Sequence, residues 1–202
     1  MSKNKSLLIF TRKPEKGKVK TRLAKGVGKD KALQIYIHLL KHSVKISSQV
    51  NANRQVWYTN SIEVNDLWNG TIFEKHVQPD GDLGLKMKFA FELNFKQGYQ
   101  KVVIIGTDLL DLDKETVEKA YQLLDENDVV FGPAEDGGYY LLGMRYFMPE
   151  VFMDIDWSTE KVLQQSLKQL SQKKVALLEE KNDIDFKEDA LRHSKLKAII
   201  DQ

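Results

Sequence analysis

Residues 7–23 read Leu7-Leu8-Ile9-Phe10-Thr11-Arg12-Lys13-Pro14-Glu15-Lys16-Gly17-Lys18-Val19-Lys20-Thr21-Arg22-Leu23, and this stretch decides the fold. Leu7 to Phe10 form a short apolar run of the kind that makes a buried strand. Six cations then crowd around Pro14 and Gly17, the residues that break regular structure. A strand that empties into a cationic loop is the opening of an open α/β sheet, in which ligands sit beyond the carboxyl ends of the strands. A basic loop at that place predicts a ligand that carries phosphate.

The rest of the chain repeats the alternation. Leu33, Tyr36, Ile37, Leu40 and Val44 lie on one helical stripe, Gln55 to Tyr58 reads as a strand, and Ile72 to Val77 as another. The turn Pro79-Asp80-Gly81-Asp82 leads into a helix carrying Leu83, Met87, Ala90 and Phe91. Val102 to Ile105 is a continuous apolar run suited to a central parallel strand. Val117, Ala120, Tyr121 and Leu124 mark a helix capped by Asp113, and Val129 to Phe131 and Tyr139 to Leu142 are strands around a Gly-rich turn. A helix follows Ser158 through Val162, Ser166, Leu167 and Leu170. A last strand near Val175 to Leu178 precedes a helix from about Lys187 to the end. These elements predict one domain spanning residues 1–202, an α/β fold with a mostly parallel sheet and one late hairpin that mixes its direction.

Bulk composition narrows the function classes. A 202-residue chain with 42% hydrophobic and 30% charged residues is ordinary for one globular domain. The net charge is only +2, but residues 1–31 hold 11 Lys/Arg against Glu15 and Asp30, a local +9 that leaves −7 for the remainder. That imbalance suits a small anionic ligand better than nucleic acid, which needs cations spread over a longer face. Absence of cysteine removes disulfides, thiolate nucleophiles and thiolate-bound metals, and fits a reducing cytoplasm. The early apolar run is too short for a signal peptide or a membrane span, so membrane insertion is not expected. Nothing in the sequence specifies an oligomeric state.

Four segments carry candidate chemistry. The basic loop lacks the G-x-x-x-x-G-K-[ST] pattern, and Gly26-Val27-Gly28-Lys29 lacks the third glycine of a dinucleotide fingerprint. Phosphate would therefore be held by Arg12, Lys20 and Arg22 and by amides near Thr21, where a helix begins. Second, the strand 102–105 ends in Gly106-Thr107-Asp108, which presents a carboxylate where ligands bind and where Mg²⁺ or Mn²⁺ could be held with substrate phosphates; the plain alternative is a capped turn. D-x-D pairs occur at Asp80/Asp82, Asp111/Asp113, Asp154/Asp156 and Asp183/Asp185, so that pattern alone discriminates nothing.

Third, Gly132 to Tyr140 contains Glu135-Asp136-Gly137-Gly138. The glycines are hairpin signals, and they also let a ligand lie against the backbone while Asp136 orients a hydroxyl or acts as a base. Fourth, Asp156-Trp157-Ser158-Thr159 and Asp183-Ile184-Asp185 each read either as helix entries, with Ser158 and Asp185 as caps and Glu188 completing a box, or as suppliers of a second carboxylate. His38 and His42 have a zinc-like spacing but lie off the apolar stripe and read as a solvated pair.

Taken in order, Phe10-x-Arg12-x-Pro14-x-x-Gly17-x-Val19-Lys20-Thr21-Arg22-Leu23, Gly81-Asp82-Leu83-Gly84, Ile105-Gly106-Thr107-Asp108, Gly132-Pro133-Ala134-x-Asp136-Gly137-Gly138-Tyr139-Tyr140-Leu141, Trp157-Ser158-Thr159 and Asp183-Ile184-Asp185 resemble the DUF2064 family over nearly the whole chain. That family is glycosyltransferase-like and belongs to the "transferase 1" group of the nucleotide-diphospho-sugar transferase superfamily. The basic loop is also similar to the K-S-R-L loop of the small guanylyltransferases of deazaflavin cofactor synthesis. Leu109-Leu110 stand where the family usually has Cys-Pro, and Phe186-Lys187 where it often has Thr-Pro.

The resemblance implies a GT-A, Rossmann-like three-layer α/β/α sandwich with a nucleotide at the first strand and loop and a divalent cation at Asp108. The leading expectation is a Mg²⁺- or Mn²⁺-dependent glycosyltransferase that uses a nucleotide-sugar donor and a small-molecule or glycan acceptor. Arg12, Lys20, Thr21, Arg22 and Asp82 would bind nucleotide or phosphate, and Asp136 or Asp156 would serve as base. Gly137, Gly138, Trp157, Ser158 and Thr159 would line the sugar or acceptor, with Asp108 and Asp185 on the metal. The alternatives are a nucleotidyltransferase, taking an NTP and a phosphorylated acceptor and releasing pyrophosphate, and a nucleotide-binding module without catalysis.

Overall fold

The computed structural model describes residues 4–202. Strand β1 (Lys5–Thr11) leads through the basic loop into helices α1 (Thr21–Val27) and α2 (Lys29–Ser47), then β2 (Asn53–Tyr58) and β3 (Glu74–Val77). Helix α3 (Leu83–Lys96), β4 (Lys101–Ile105), α4 (Lys114–Leu123), β5 (Val129–Pro133) and β6 (Tyr139–Met144) follow. A 3-10 turn (Pro149–Phe152), α5 (Val162–Gln169), β7 (Val175–Leu177), α6 (Lys187–Leu191) and α7 (Ser194–Asp201) complete the chain.

One seven-stranded sheet has the order β3-β2-β1-β4-β6-β5-β7. Strand β1 pairs in parallel with both β2 and β4, so its carboxyl end lies at the point where the strand order reverses. The mixed direction comes from β6 alone, which inserts antiparallel between β4 and β5. Because β6 runs backwards, the turn that precedes it opens on the same sheet edge as the ends of β1 and β4. All three predicted functional loops are thereby brought to one edge.

The central strands are apolar at consecutive positions because both faces are covered. Leu7, Ile9, Val103 and Ile105 pack with Tyr36 and Leu40 of α2 and Val117, Ala120 and Tyr121 of α4. Leu8, Val102 and Ile104 point the other way, onto Met87, Ala90 and Phe91 of α3. The result is a three-layer α/β/α sandwich, as the resemblance implies. Helix α2 is buried on more than its predicted stripe: Ala32, Ile35 and Leu39 form a second core with Leu23 of α1, Ile184, Ala190 and Leu196. Its 19 residues serve two layers at once, which a single stripe does not describe.

Two predicted boundaries and one predicted environment differ in the structure. Ser158 is not a helix cap: it lies in the left-handed region at φ 66°, and α5 starts at Val162 after Lys161. The C-terminal helix is broken at His193 into α6 and α7. His42 is not a solvated residue either, since its Nε2 lies 2.7 Å from the Leu112 carbonyl and ties α2 to the loop before α4. By contrast, Asp113 caps α4 as expected, accepting from the Thr116 amide at 2.7 Å.

Candidate functional site

The loop after β1 is anchored at its first residue. The Arg12 amide donates to the Tyr36 hydroxyl at 3.1 Å, and that hydroxyl donates back to the Arg12 carbonyl at 3.0 Å. Much of the loop's charge is locally spent: Lys13 pairs with Glu63 at 3.0 Å, and Lys16 and Lys18 pair with Asp30 and Glu15, each at 2.6 Å. The guanidinium of Arg12 stays exposed, with no ion pair among the described residues. At the far end Lys20 takes the left-handed conformation (φ 46°, ψ 47°) just before α1. A non-glycine residue there carries strain of about 1 kcal/mol, and here the strain turns the side chain inward.

Inward lies a pair of carboxylates. The Lys20 ammonium, whose side chain is only 5% exposed, is 2.8 Å from Asp108 Oδ1 and 3.0 Å from Asp185 Oδ1. Arg22, one helical residue further on, meets Asp185 Oδ2 at 3.2 Å. Burial pulls the ammonium pKa down, but the two carboxylates outweigh it and hold Lys20 above the ordinary lysine range.

Backbone geometry explains why Asp185 arrives there. The segment after β7 continues alongside β5, with the Leu178 amide donating to Phe131 and the Lys181 amide to Pro133. The Ile184 amide then donates to the Asp108 carbonyl at 3.1 Å. Ile184 is fully buried against α1 and α2, and the Asp185 amide donates to the Asp183 carbonyl at 3.1 Å, a tight turn about Ile184 that keeps its two acidic neighbours close. Asp185 is not the cap of α6. That work falls to Asp189, which accepts from the Phe186 amide at 2.7 Å and the Asp185 amide at 3.1 Å, leaving the Asp185 carboxylate for Lys20 and Arg22.

Asp183 was not singled out by sequence, and it is the most perturbed carboxyl at the site. Its Oδ1 is buried without a hydrogen-bond partner. Burial, then the charges of Asp108 and Asp136, push its pKa up to about 7, with Lys20 opposing them. The detectable signal was the sequence Asp183-Ile184-Asp185 itself, two carboxylates flanking an apolar residue that the fold buries.

The hairpin turn carries Asp136 beside this cluster. Its Oδ1 accepts from the Gly138 amide at 2.9 Å, so the turn is self-bonded, as the hairpin reading requires, while the carboxylate remains exposed near Asp183. Gly137 sits at φ 85°, and a Cβ there would lie 2.1 Å from the Glu160 carbonyl oxygen. Its own carbonyl accepts from the Leu163 amide at 3.0 Å. Gly137→Ala would combine left-handed strain with a backbone clash that no rotamer relieves, and is expected to destabilise by about 1–3 kcal/mol. Urea unfolding of the variant measures this directly.

The remaining predicted residues form a second group. Trp157 lies over Gly84, where a Cβ would approach within 2.3 Å of the indole, and stacks near Phe152. Asp82 caps α3, accepting from the Leu85 amide at 2.8 Å. Asp156 is held on both sides by Gln165, which accepts from its amide at 2.8 Å and donates to its Oδ2 at 2.9 Å. The Thr159 hydroxyl donates to the Asp156 carbonyl, closing the turn that contains Ser158. This group touches the carboxylate cluster through Gly137 and Glu160. Thr21 is the exposed first residue of α1.

The donor set is chemically suited to a hard divalent cation. Asp108, Asp183 and Asp185, with Asp136 beside them, outnumber Lys20 and Arg22, and one buried carboxylate oxygen has no partner. Among the described residues no three acidic or histidine side chains already converge as a cage. Mg²⁺ and Mn²⁺ commonly take one or two carboxylates and draw their other ligands from substrate phosphates and water, which matches a site of this kind.

The family described as "Uncharacterized protein conserved in bacteria (DUF2064)" matches residues 42–159. A protein from Desulfovibrio desulfuricans G20, provisionally described as a nucleotide-diphospho-sugar transferase, superposes with a TM-score of 0.86 at 34% identity, covering 100% of this chain and 95% of that one. At 13% identity the chain resembles a CMP:2-keto-3-deoxy-manno-octonic acid synthetase solved with CTP (TM-score 0.58, covering 96% and 98%). At 11% it resembles the 4-diphosphocytidyl-2C-methyl-D-erythritol synthase of Anaerococcus prevotii DSM 20548 (TM-score 0.61, covering 96% and 98%). The fold is that of the nucleotide-diphospho-sugar transferases and nucleotidyltransferases. No curated protein matches the sequence. No helix among the described residues is long and apolar enough to cross a membrane.

Proposed function

The chain belongs to the DUF2064 family, and on that footing we propose that it is a Mg²⁺- or Mn²⁺-dependent glycosyltransferase acting on a nucleotide-sugar donor. The observation that carries the reading is the Lys20 ammonium set between Asp108 and Asp185 at the foot of a basic loop and at the end of a central strand. Arg12, Lys20 and Arg22 bind the diphosphate, and Asp108 and Asp185 hold the cation, with the orphaned Asp183 oxygen at hand. When bound, the cation offsets the charge that grows on the departing nucleoside diphosphate.

Transfer then requires that an acceptor oxygen attack the anomeric carbon. The bond from that carbon to the phosphate oxygen breaks, its electron pair leaves with the nucleoside diphosphate, and the acceptor proton passes to Asp136. Asp136 suits this role because its exposed carboxylate stands close enough to Asp183 of the cluster for their charges to act on each other, whereas Asp156 belongs to the second group, held by Gln165. The small residues Gly137 and Gly138 leave the turn's backbone open to the sugar.

One observation favours a second reading, nucleotidyl transfer. Asp185 stands beside Asp108 as a candidate second metal carboxylate, as a metal-bound NTP would use while the basic loop grips its triphosphate. There a phosphate oxygen of the acceptor attacks the α-phosphorus and pyrophosphate departs. Products separate the two. Incubation with a panel of nucleotide sugars and Mn²⁺ is expected to release nucleoside diphosphate, and Asp108→Ala to abolish both that release and the Mn²⁺-dependent thermal shift. Pyrophosphate from NTPs would move the assignment to the second reading. Nucleotide-induced thermal shifts without either product would leave a binding module.

A further inference from the structure

Helix α1 and the start of α6 enclose a shallow open depression lined by Arg22, Lys25, Gly26, Phe186, Lys187 and Glu188. Three cations face one acid. Lys25 and Lys187 have no ion pair or hydrogen bond among the described residues, in contrast to Lys13, Lys16 and Lys18 of the basic loop, which are each matched to a carboxylate. Phe186 shares the lining with the two lysines, half exposed and 5.9 Å from the Arg22 guanidinium. Gly26 makes the close approach possible, since a Cβ there would lie 2.9 Å from Lys187 Cβ and push the α6 side of the depression away.

Its position is as telling as its lining. Arg22 reaches from the depression to Asp185 at 3.2 Å, so whatever occupies it lies one side chain from the reacting groups. Lys20, which also meets Asp108, holds the other oxygen of that same carboxylate. A depression lined by a half-exposed aromatic ring and two unmatched ammonium groups is complementary to a flat or apolar body that carries an anion.

We propose that this depression is the acceptor subsite, and that the acceptor carries a phosphate or carboxylate held by Lys25 and Lys187 while its body lies on the Phe186 ring. The inference rests on the transferase reading above and names the substrate class for it. The experiment uses the whole chain with Mn²⁺ and whichever of ADP, CDP, GDP or UDP gives the largest thermal shift. Phenyl phosphate, benzoate and inorganic phosphate are then titrated by calorimetry.

Phenyl phosphate or benzoate is expected to bind, and the tighter of the two identifies the anion. The double variant Lys25→Glu/Lys187→Glu is expected to weaken that binding by at least about tenfold, with the nucleotide shift intact. Phe186→Ala is expected to weaken the aromatic probes several-fold and leave inorganic phosphate unaffected. Lys25→Ala/Lys187→Ala provides the same comparison without charge reversal. Probe affinity within twofold of the parent in both double variants, or no aromatic probe binding to a protein that shows the nucleotide shift, overturns the subsite alone. No shift with any nucleotide strikes the transferase reading itself, and the acceptor role with it.

Discussion

Lys20→Met is expected to lower the melting temperature by about 5–10 °C and to cut turnover by about 10²–10³-fold. The variant keeps the aliphatic stem and removes the one charge that Asp108 and Asp185 share. Removing one partner of a fully buried ion pair typically destabilises by about 3–5 kcal/mol, because the other charge is left uncompensated. Here the ammonium is buried but Asp108 and Asp185 remain 46% and 35% exposed, so water screens part of the penalty. A loss of about 2–3 kcal/mol follows. Mn²⁺ should recover part of it by supplying positive charge to the same oxygens. A melting-temperature difference that ignores Mn²⁺ would show that Lys20 acts only through packing.

Most of what places this site was legible without coordinates. Lys20 and Asp108 each follow an apolar run at a strand's carboxyl end, and parallel pairing of β1 with β4 necessarily brings such ends together. The Gly-rich turn was assignable to the same edge only once β6 was known to run antiparallel between β4 and β5. Asp185 was ambiguous for a local reason. An aspartate three residues before a glutamate at a helix start fits a capping box, and only the chain's course shows that Asp189 does the capping one residue later. Tyr36 was hidden because a tyrosine on a helical stripe reads as core, which it is, although its hydroxyl also anchors Arg12. Asp183 was hidden by abundance, since D-x-D occurs four times in the chain and burial of Ile184 is a tertiary fact.

Asp183→Asn is expected to make the metal-free protein more stable and the metal-loaded protein less responsive. In the unfolded chain this carboxyl titrates near 3.8, and in the folded chain at about 7, raised chiefly by burial and then by Asp108 and Asp136. Between those pH values the folded state keeps a proton that the unfolded state has released. Stability therefore falls as pH rises through this window, and above about pH 7 the penalty is fully present. Three pKa units correspond to about 4 kcal/mol as an upper limit, and relaxation of the site reduces it. The isosteric amide carries no charge to bury, and its NH₂ can donate to the neighbouring carboxylates. At pH 8 a gain of about 2–3 kcal/mol, or 5–10 °C in melting temperature, is expected, with little gain at pH 4. A pH-independent gain would remove the charge argument. Natural retention of a carboxylate that destabilises the free protein makes sense if it acts when positive charge arrives, the usual compromise between stability and activity. The Mn²⁺-induced thermal shift should accordingly be smaller in Asp183→Asn than in the parent. An equal shift in both proteins would mean that Asp183 takes no part in holding the cation.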